Sequence, residues 1–356
     1  MTTAAKLPTN SPVLLRIEDL YKAFPAPHAL WDRLRRRPPR KVRALNGVSL
    51  VVHRGETLGI VGESGCGKST LARCIVRLYD ADTGKIFFDD LEVLGLSGSK
   101  LRAYNRRVQM VFQDPFTSLN PRMTVGEALS EAISVHKLRP PDQVEARVHE
   151  LLDLVGLPPD AVDRLPHEFS GGQRQRIAIA RSLALEPDCL VADELVSALD
   201  VSVQAQIINL LLELQAQLHL TVLFVAHDLR LVRHISHRVA VMYLGRVVEL
   251  ADTERIFTEP QHPYTQALIS AAPRLDPLHK STVEAIQGEL PSPLNVPGGC
   301  PFHPRCPLAF DRCRVDVPAL RPYQPDHFTA CHLYDAGAPG GPRSIRRAAP
   351  ASPSNT

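Results

Sequence analysis

Apolar residues in this chain fall into short blocks that stop at charged or glycine-rich positions. Thr57-Leu58-Gly59-Ile60-Val61 is such a block and reads as a buried strand. Asp188 to Glu194 is a second, an apolar strand ending in two carboxylates, and Leu220 to Ala226 is a third, ending at His227-Asp228. Val13 to Leu20 shows partial alternation, Leu45 to Val52 reads as a strand, and Asp82 to Phe88 reads as a turn and then a strand. Val108 to Gln113 is a strand that ends at a glutamine. Between these blocks the spacing turns helical. Leu71 to Val76 starts one helix, Ile177 to Arg181 lies on an amphipathic one, and Val201 to Gln217 forms another. From Val125 to about Leu157 the pattern is helical with a break at Pro140-Pro141, which reads as a helical insertion in an α/β core.

The blocks place chemistry at their ends. Gly62-Glu63-Ser64-Gly65-Cys66-Gly67-Lys68-Ser69-Thr70 fits the phosphate-loop pattern, between a strand and a helix as the motif requires. Its glycines let backbone N–H groups turn onto one anion, and the helix start adds positive potential. Lys68 can reach the outer phosphates, and the Ser69 hydroxyl can ligate Mg2+. A glycine-rich turn that binds nothing is the plainer reading; Lys68-Ser69 in this context argues against it. Ser170-Gly171-Gly172-Gln173 opens another helix, with Ser170 where an N-cap belongs. Two anion-binding helix starts exceed what one nucleotide needs. Asp193 at a strand tip suits Mg2+ through water, and Glu194 can polarise an attacking water. Capping of a helix is the ordinary role of such a pair. His227, at the end of its strand, is placed to meet a γ-phosphate, although a lone histidine there is often structural. Phe24, with Tyr21 as runner-up, can stack on an adenine or simply fill core. Residues 114–125, rich in Pro, Asn and Ser, read as an exposed functional loop.

Composition narrows the class. The chain has 356 residues, 44% of them hydrophobic, enough for a core plus an addition. A formal net charge of +3 gives no reason to expect a nucleic-acid partner. No apolar run is long enough to span a bilayer, and the first ten residues lack the apolar core of a signal peptide, so a soluble, cytoplasmic protein is expected. A basic stretch at 25–43 reads as a solvated loop. Cys66, Cys74 and Cys189 read as small apolar fillers.

Taken in order, the phosphate loop, Gln113, Ser170–Gln173, Asp193-Glu194, Ser197–Asp200 and His227 resemble the nucleotide-binding subunit of an ATP-binding cassette (ABC) transporter over residues 13–255. The resemblance implies an α/β fold: a RecA-like P-loop core with an antiparallel β subdomain and an inserted α-helical subdomain at about 114–185. It implies a head-to-tail dimer with ATP between two subunits. Lys68 and Ser69 would hold ATP in cis, and Ser170 and Gly172 would reach ATP held by the partner. Glu194 would be the general base, His227 the γ-phosphate sensor, Gln113 an Mg2+ contact facing the membrane subunits, and Asp200 a contact across the dimer. One position departs from the pattern: Leu195 stands where the family has proline, which puts the rate of turnover in question.

A narrower resemblance rests on Asp114 to Arg122, on Gln261-His262-Pro263-Tyr264-Thr265, on Gly288 to Pro293, and on Gly299-Cys300-Pro301-Phe302-His303-Pro304-Arg305-Cys306-Pro307. These resemble ATPase subunits of dipeptide, oligopeptide and nickel importers. The implied partners are a homologous ATPase subunit (a heterodimer being favoured), two transmembrane permeases and, indirectly, an extracytoplasmic solute-binding protein. The implied location is the cytoplasmic face of the inner membrane. Nickel, glutathione or sugar-like cargo stays open, and a soluble cassette ATPase outside transport is the alternative class.

Cys300, Cys306, Cys313 and Cys331 follow a C-x5-C-x6-C-x17-C spacing among prolines. Four cysteines suit a [4Fe–4S] cluster or a tetrahedral zinc site. The absence of any C-x2-C pair weighs against common zinc modules, and the resembled importers carry a [4Fe–4S] cluster here. His303 and His332 are substitute ligands. A small, loop-rich, metal-binding extension is therefore expected at 256–333, with disordered ends at 1–12 and 334–356.

Overall fold

The structure is a computed structural model that describes residues 11–26, 40–114, 119–271, 289, 291–335 and 338. Most of the expected disordered ends, 1–12 and 334–356, lie outside the described residues, as do most of the basic stretch at 25–43 and residues 115–118 of the loop after Gln113.

The strands, in chain order, are β1 (Val13–Pro25), β2 (Lys41–His53), β3 (Thr57–Val61), β4 (Thr83–Phe88), β5 (Leu91–Glu92) and β6 (Val108–Val111). They continue as β7 (Cys189–Asp193), β8 (Thr221–Val225), β9 (Arg238–Tyr243), β10 (Arg246–Asp252), β11 (Arg321–Gln324) and β12 (His327–Thr329). A four-stranded antiparallel sheet has the order β2-β1-β4-β5. An eight-stranded sheet has the order β11-β12-β10-β9-β3-β8-β7-β6. Its central pairings, β9-β3, β3-β8, β8-β7 and β7-β6, are all parallel. The outer pairings through β10 are antiparallel.

The parallel strands explain the unbroken apolar runs. Val222 and Phe224 of β8 pack into one core cluster while Leu223 and Val225 pack into another, and Leu190 and Val191 of β7 divide the same way. A sheet covered on both faces requires apolar residues at consecutive positions. The first cluster includes helices Val125–Val135, Val144–Leu154 and Gly171–Leu183, which contact one another. Pro140 and Pro141 separate the first two, and a single 3-10 turn at Pro141–Gln143 joins them. The second cluster lies between the central sheet and the antiparallel one.

The C-terminal extension departs from expectation. It is not only loops: β11 and β12 form a hairpin that prolongs the main sheet through β10. Pro322 and Pro325 around these short strands hide the pattern in the sequence, since proline is confined to strand edges. Cys300, Phe302 and Cys313 join the core cluster that covers one face of the main sheet. Among the described residues no helix is long and apolar enough to cross a membrane.

Candidate functional site

The phosphate loop follows β3 and feeds the helix Lys68–Ile75. Its backbone requires glycine. Gly67 has φ +107, and a Cβ there would lie 2.3 Å from the Ala44 carbonyl oxygen; at Gly62 the Met242 carbonyl oxygen would be 2.2 Å away. The Lys68 ammonium is buried and donates to the carbonyls of Gly62 at 2.8 Å and Glu63 at 3.1 Å. Ser64 and Gly65 are exposed at the loop tip, and Ser69 and Thr70 are half-buried behind it. Cys66 is buried and burial pushes its thiol up; Cys74 and Cys189 are pushed up to about 11 and about 12 by the same cause, consistent with neutral fillers.

The Ser69 hydroxyl donates to Asp193 Oδ1 at 2.9 Å, which brings the tip of β7 to the loop. Burial raises the Asp193 carboxyl, against the lowering effect of that hydrogen bond and of Arg73. A buried carboxylate and a hydroxyl side by side form an oxygen donor set that fits a hard cation such as Mg2+. Glu194 follows, with φ +48, a left-handed backbone that non-glycine residues rarely adopt. His227 Nδ1 lies 3.8 Å from Glu194 Oε1. Gln113 Nε2 donates to Ser197 Oγ at 3.0 Å, and Ser197 Oγ donates to the Glu194 carbonyl at 3.0 Å. Ser197 is thus the link between Gln113 and the carboxylate strand. It was legible only as part of the Ser197–Asp200 turn, because a serine carries no spacing signal of its own.

The second helix start lies elsewhere. Ser170 Oγ accepts from the Gln173 N–H at 3.4 Å, and Gln173 Oε1 accepts from the Ser170 N–H at 3.0 Å, a reciprocal capping box. Gly172 also has a packing reason, since a Cβ there would lie 2.4 Å from Val203 Cγ1, and at Gly171 Leu199 Cδ2 would be 3.3 Å away. Its helix packs on β6. β6 is separated from β3, which carries the phosphate loop, by β7 and β8. Three strand spacings amount to about 14 Å. Asp200, exposed, opens the helix Val201–Leu218 without a side-chain cap, and Val201 beside it is 81% exposed.

Phe24 is half-buried and meets Tyr79 edge-on, ring centroids 5.2 Å apart, with Lys22 Nζ 5.3 Å from its ring centre. Tyr79 was not legible as part of this cluster because it lies far along the chain.

Cys300, Cys306, Cys313 and Cys331 line one small cavity together with His262, His303 and His332. Burial pushes the thiols of Cys300 and Cys306 up to about 11 and Cys331 to about 12. No carboxylate lines this cavity, and an all-sulfur set fits an iron–sulfur cluster or zinc rather than a hard cation. Among the described residues, however, no three Cys, His, Asp or Glu side chains stand close enough to hold a metal ion as they are placed. The expected metal-binding character is therefore not displayed by this arrangement. His332 is a poor substitute ligand, with both ring nitrogens engaged, by Asp335 Oδ2 at 2.8 Å and the Asp316 carbonyl at 3.0 Å. His303 Nδ1 lies 2.9 Å from the Cys300 carbonyl.

A parallel sheet with a phosphate loop after β3, a carboxylate pair at the tip of β7 and a separate Ser-Gly-Gly helix start packed on β6 defines an ATPase of the ABC class. The ABC transporter family profile matches residues 45–197, and that for the oligopeptide/dipeptide transporter C-terminal region matches residues 248–313. A probable peptide ABC transporter ATP-binding protein of Sinorhizobium fredii is 50% identical, over 91% of this chain and 90% of that protein. The oligopeptide transport ATP-binding protein AppF of Bacillus subtilis is 49% identical, over 91% and 98%. The dimeric post-hydrolysis structure of the ATP-binding cassette MJ0796 bound to ADP and Pi matches with a TM-score of 0.59 at 27% identity, over 67% of this chain and 99% of that one. The chain belongs to the ATP-binding subunits of the oligopeptide/dipeptide ABC transporter family.

Proposed function

We propose that this chain energises peptide import as one half of a head-to-tail ATPase dimer. The observation that carries this is that the chain holds two helix starts suited to an anion on different parts of the sheet: the phosphate loop follows β3, and the Ser170–Gln173 helix packs on β6, with β7 and β8 between. Residues 62–70 seat the ATP phosphates, with Lys68 neutralising charge and Phe24 beside the adenine. Ser69, Asp193 and Gln113 would hold Mg2+, which would supply charge neutralisation at the transferring phosphoryl group. Glu194 accepts a proton from the attacking water, and His227 contacts the γ-phosphate. Ser170, Gly171, Gly172 and Gln173 close the partner's site, with Asp200 across the interface. The partner is a homologous ATPase subunit, in a heterodimer by preference. The relatives named for peptide transport supply the cargo class; nickel or glutathione is the alternative cargo.

The permease contact is supported by an open groove lined by Gln109, Val111, Phe112, Glu131 and Val135, directly before Gln113, with Val135 69% exposed. A cytoplasmic segment of a membrane subunit would dock there, which would place the chain peripherally on the cytoplasmic face of the membrane. The four cysteines are proposed to hold a [4Fe–4S] cluster, zinc being the alternative. The support is their shared cavity and all-sulfur chemistry. Such a cluster would cross-link the loops around residues 300–331. Iron and acid-labile sulfide in anaerobically purified protein, absent from Cys306→Ser, test it; stoichiometric zinc alone refutes it.

Glu194→Gln tests the ATPase assignment. The variant should bind ATP and accumulate as a closed dimer while turnover falls by about 100-fold or more. Unchanged turnover would remove Glu194 from the reaction.

A further inference from the structure

Glu63 is a carboxylate inside a loop that must receive polyphosphate. Unpaired, it would repel the ligand at short range. It is not unpaired. Arg305 Nη1 donates to Glu63 Oε2 at 2.8 Å and Arg305 Nη2 to Oε1 at 3.1 Å, a two-pronged pair across 242 positions of sequence. Arg305 lies between Cys300 and Cys306, and its side chain is 7% exposed. Tyr243 Oη accepts from its Nη1 at 3.4 Å.

The backbone of the same residue is held as well. The Glu63 N–H donates to Tyr264 Oη at 2.9 Å. The rings of Tyr243, Tyr264 and Phe302 pack together, with centroids 4.7 to 5.4 Å apart. Glu63 is gripped at its side chain and its N–H, and its carbonyl in turn holds the Lys68 ammonium at 3.1 Å. The extension and the catalytic lysine therefore share one residue.

We propose that Arg305 and Tyr264 are positioning residues of the ATP site, through which the C-terminal extension neutralises and clamps the phosphate loop. This rests on residues 62–70 being the seat of ATP. The affinity of the loop for ATP is then a property of the cassette and the extension together. The pair could otherwise serve only to fasten the extension down. In that case its loss lowers stability and leaves ATP affinity alone.

The test is titration of the full-length protein with a fluorescent ATP analogue and Mg2+, with melting temperature followed in parallel. Absence of wild-type binding overturns the seat itself, independently of the clamp. With wild-type binding in hand, Arg305→Gln exposes the Glu63 charge and should weaken ATP about tenfold. Glu63→Gln combined with Arg305→Gln removes the orphaned charge and should recover most of that loss, which a mere fastening role does not predict. In the assembled transporter Arg305→Gln should raise KM while kcat stays within about twofold. Tyr264→Phe keeps the ring and loses only the hydroxyl; it should weaken ATP about threefold with little change in melting temperature. Wild-type affinity in Arg305→Gln, or a double variant as weak as the single one, overturns the proposal. If Arg305→Gln does not fold, Tyr264→Phe decides: a loss supports the clamp and wild-type affinity overturns it.

Discussion

The two helix starts proposed as halves of the nucleotide site are built in opposite ways. In the phosphate loop the functional groups satisfy one another: Lys68 donates to the loop's own carbonyls, and Ser69 donates to Asp193. The pocket is thereby held near its working shape, and ATP need only replace those contacts. At the Ser170 helix start the polar groups satisfy their own helix through the capping box, and the glycines pack on Leu199 and Val203. That half spends its polar groups on its own helix end. One half is preorganised to bind; the other can act only on something brought to it.

The largest test of this contrast sets Lys68→Ala against Ser170→Arg. Lys68→Ala should lower ATP affinity of the isolated subunit by roughly 100-fold, since a buried charge-assisted contact to phosphate is lost. Ser170→Arg should leave that affinity within about twofold and abolish turnover in the assembled transporter by a similar roughly 100-fold, because it fills the space where the partner's phosphates dock. Equal loss of binding in the isolated subunit for both variants would collapse the distinction.

Gly172→Ala probes the second half through packing. The new Cβ would lie 2.4 Å from Val203 Cγ1, so the helices Gly171–Leu183 and Val201–Leu218 must separate. A loss of about 1–3 kcal/mol is expected by thermal unfolding, with ATP affinity retained. Val203→Ala in the same chain should recover most of it. Without that recovery, the glycine is required for its backbone alone.

Most of the first half was legible in the sequence, and less of the rest. The phosphate loop, the carboxylates at the tip of β7 and the Ser170 N-cap are local patterns, and each depends on neighbours within a few residues. What was not legible depends on distant partners. Tyr79 against Phe24, Val203 behind Gly172 and Arg305 on Glu63 carry no periodicity and no short motif. The β11–β12 hairpin was hidden by its prolines and its brevity. The left-handed backbone of Glu194 is invisible for a different reason, since a glutamate carries no preference for it.

Asp193→Asn separates binding from stability within the first half. Burial raises the Asp193 carboxyl in the folded chain, so ionised Asp193 destabilises the nucleotide-free fold at neutral pH. As pH falls through that raised value the folded state takes up the proton more readily than the unfolded one, and the penalty disappears. Asp193→Asn should therefore raise the melting temperature of the nucleotide-free protein at neutral pH, with the gain shrinking toward acid. Its stabilisation by ATP should no longer depend on Mg2+. A lower melting temperature would show that the hydrogen bond from Ser69 outweighs the burial of charge.

The smallest expected effect falls where the chain departs from its family. Leu195 is 1% exposed and packs in the core cluster directly behind Glu194. Proline at 195 would remove that side chain's packing. It would also push residue 194 toward extended backbone, against its present φ of +48. The Glu194 carbonyl, which takes the Ser197 hydroxyl and through it Gln113, would move with that change. Leu195→Pro should leave ATP affinity of the isolated subunit unchanged, because none of the phosphate-loop contacts passes through residue 195. Turnover in the assembled transporter should fall, by less than about tenfold, because the carboxylate is displaced rather than removed. A rise in turnover would mean that Glu194 works best from extended backbone, and that leucine at this position holds the base of an otherwise complete half-site away from its water.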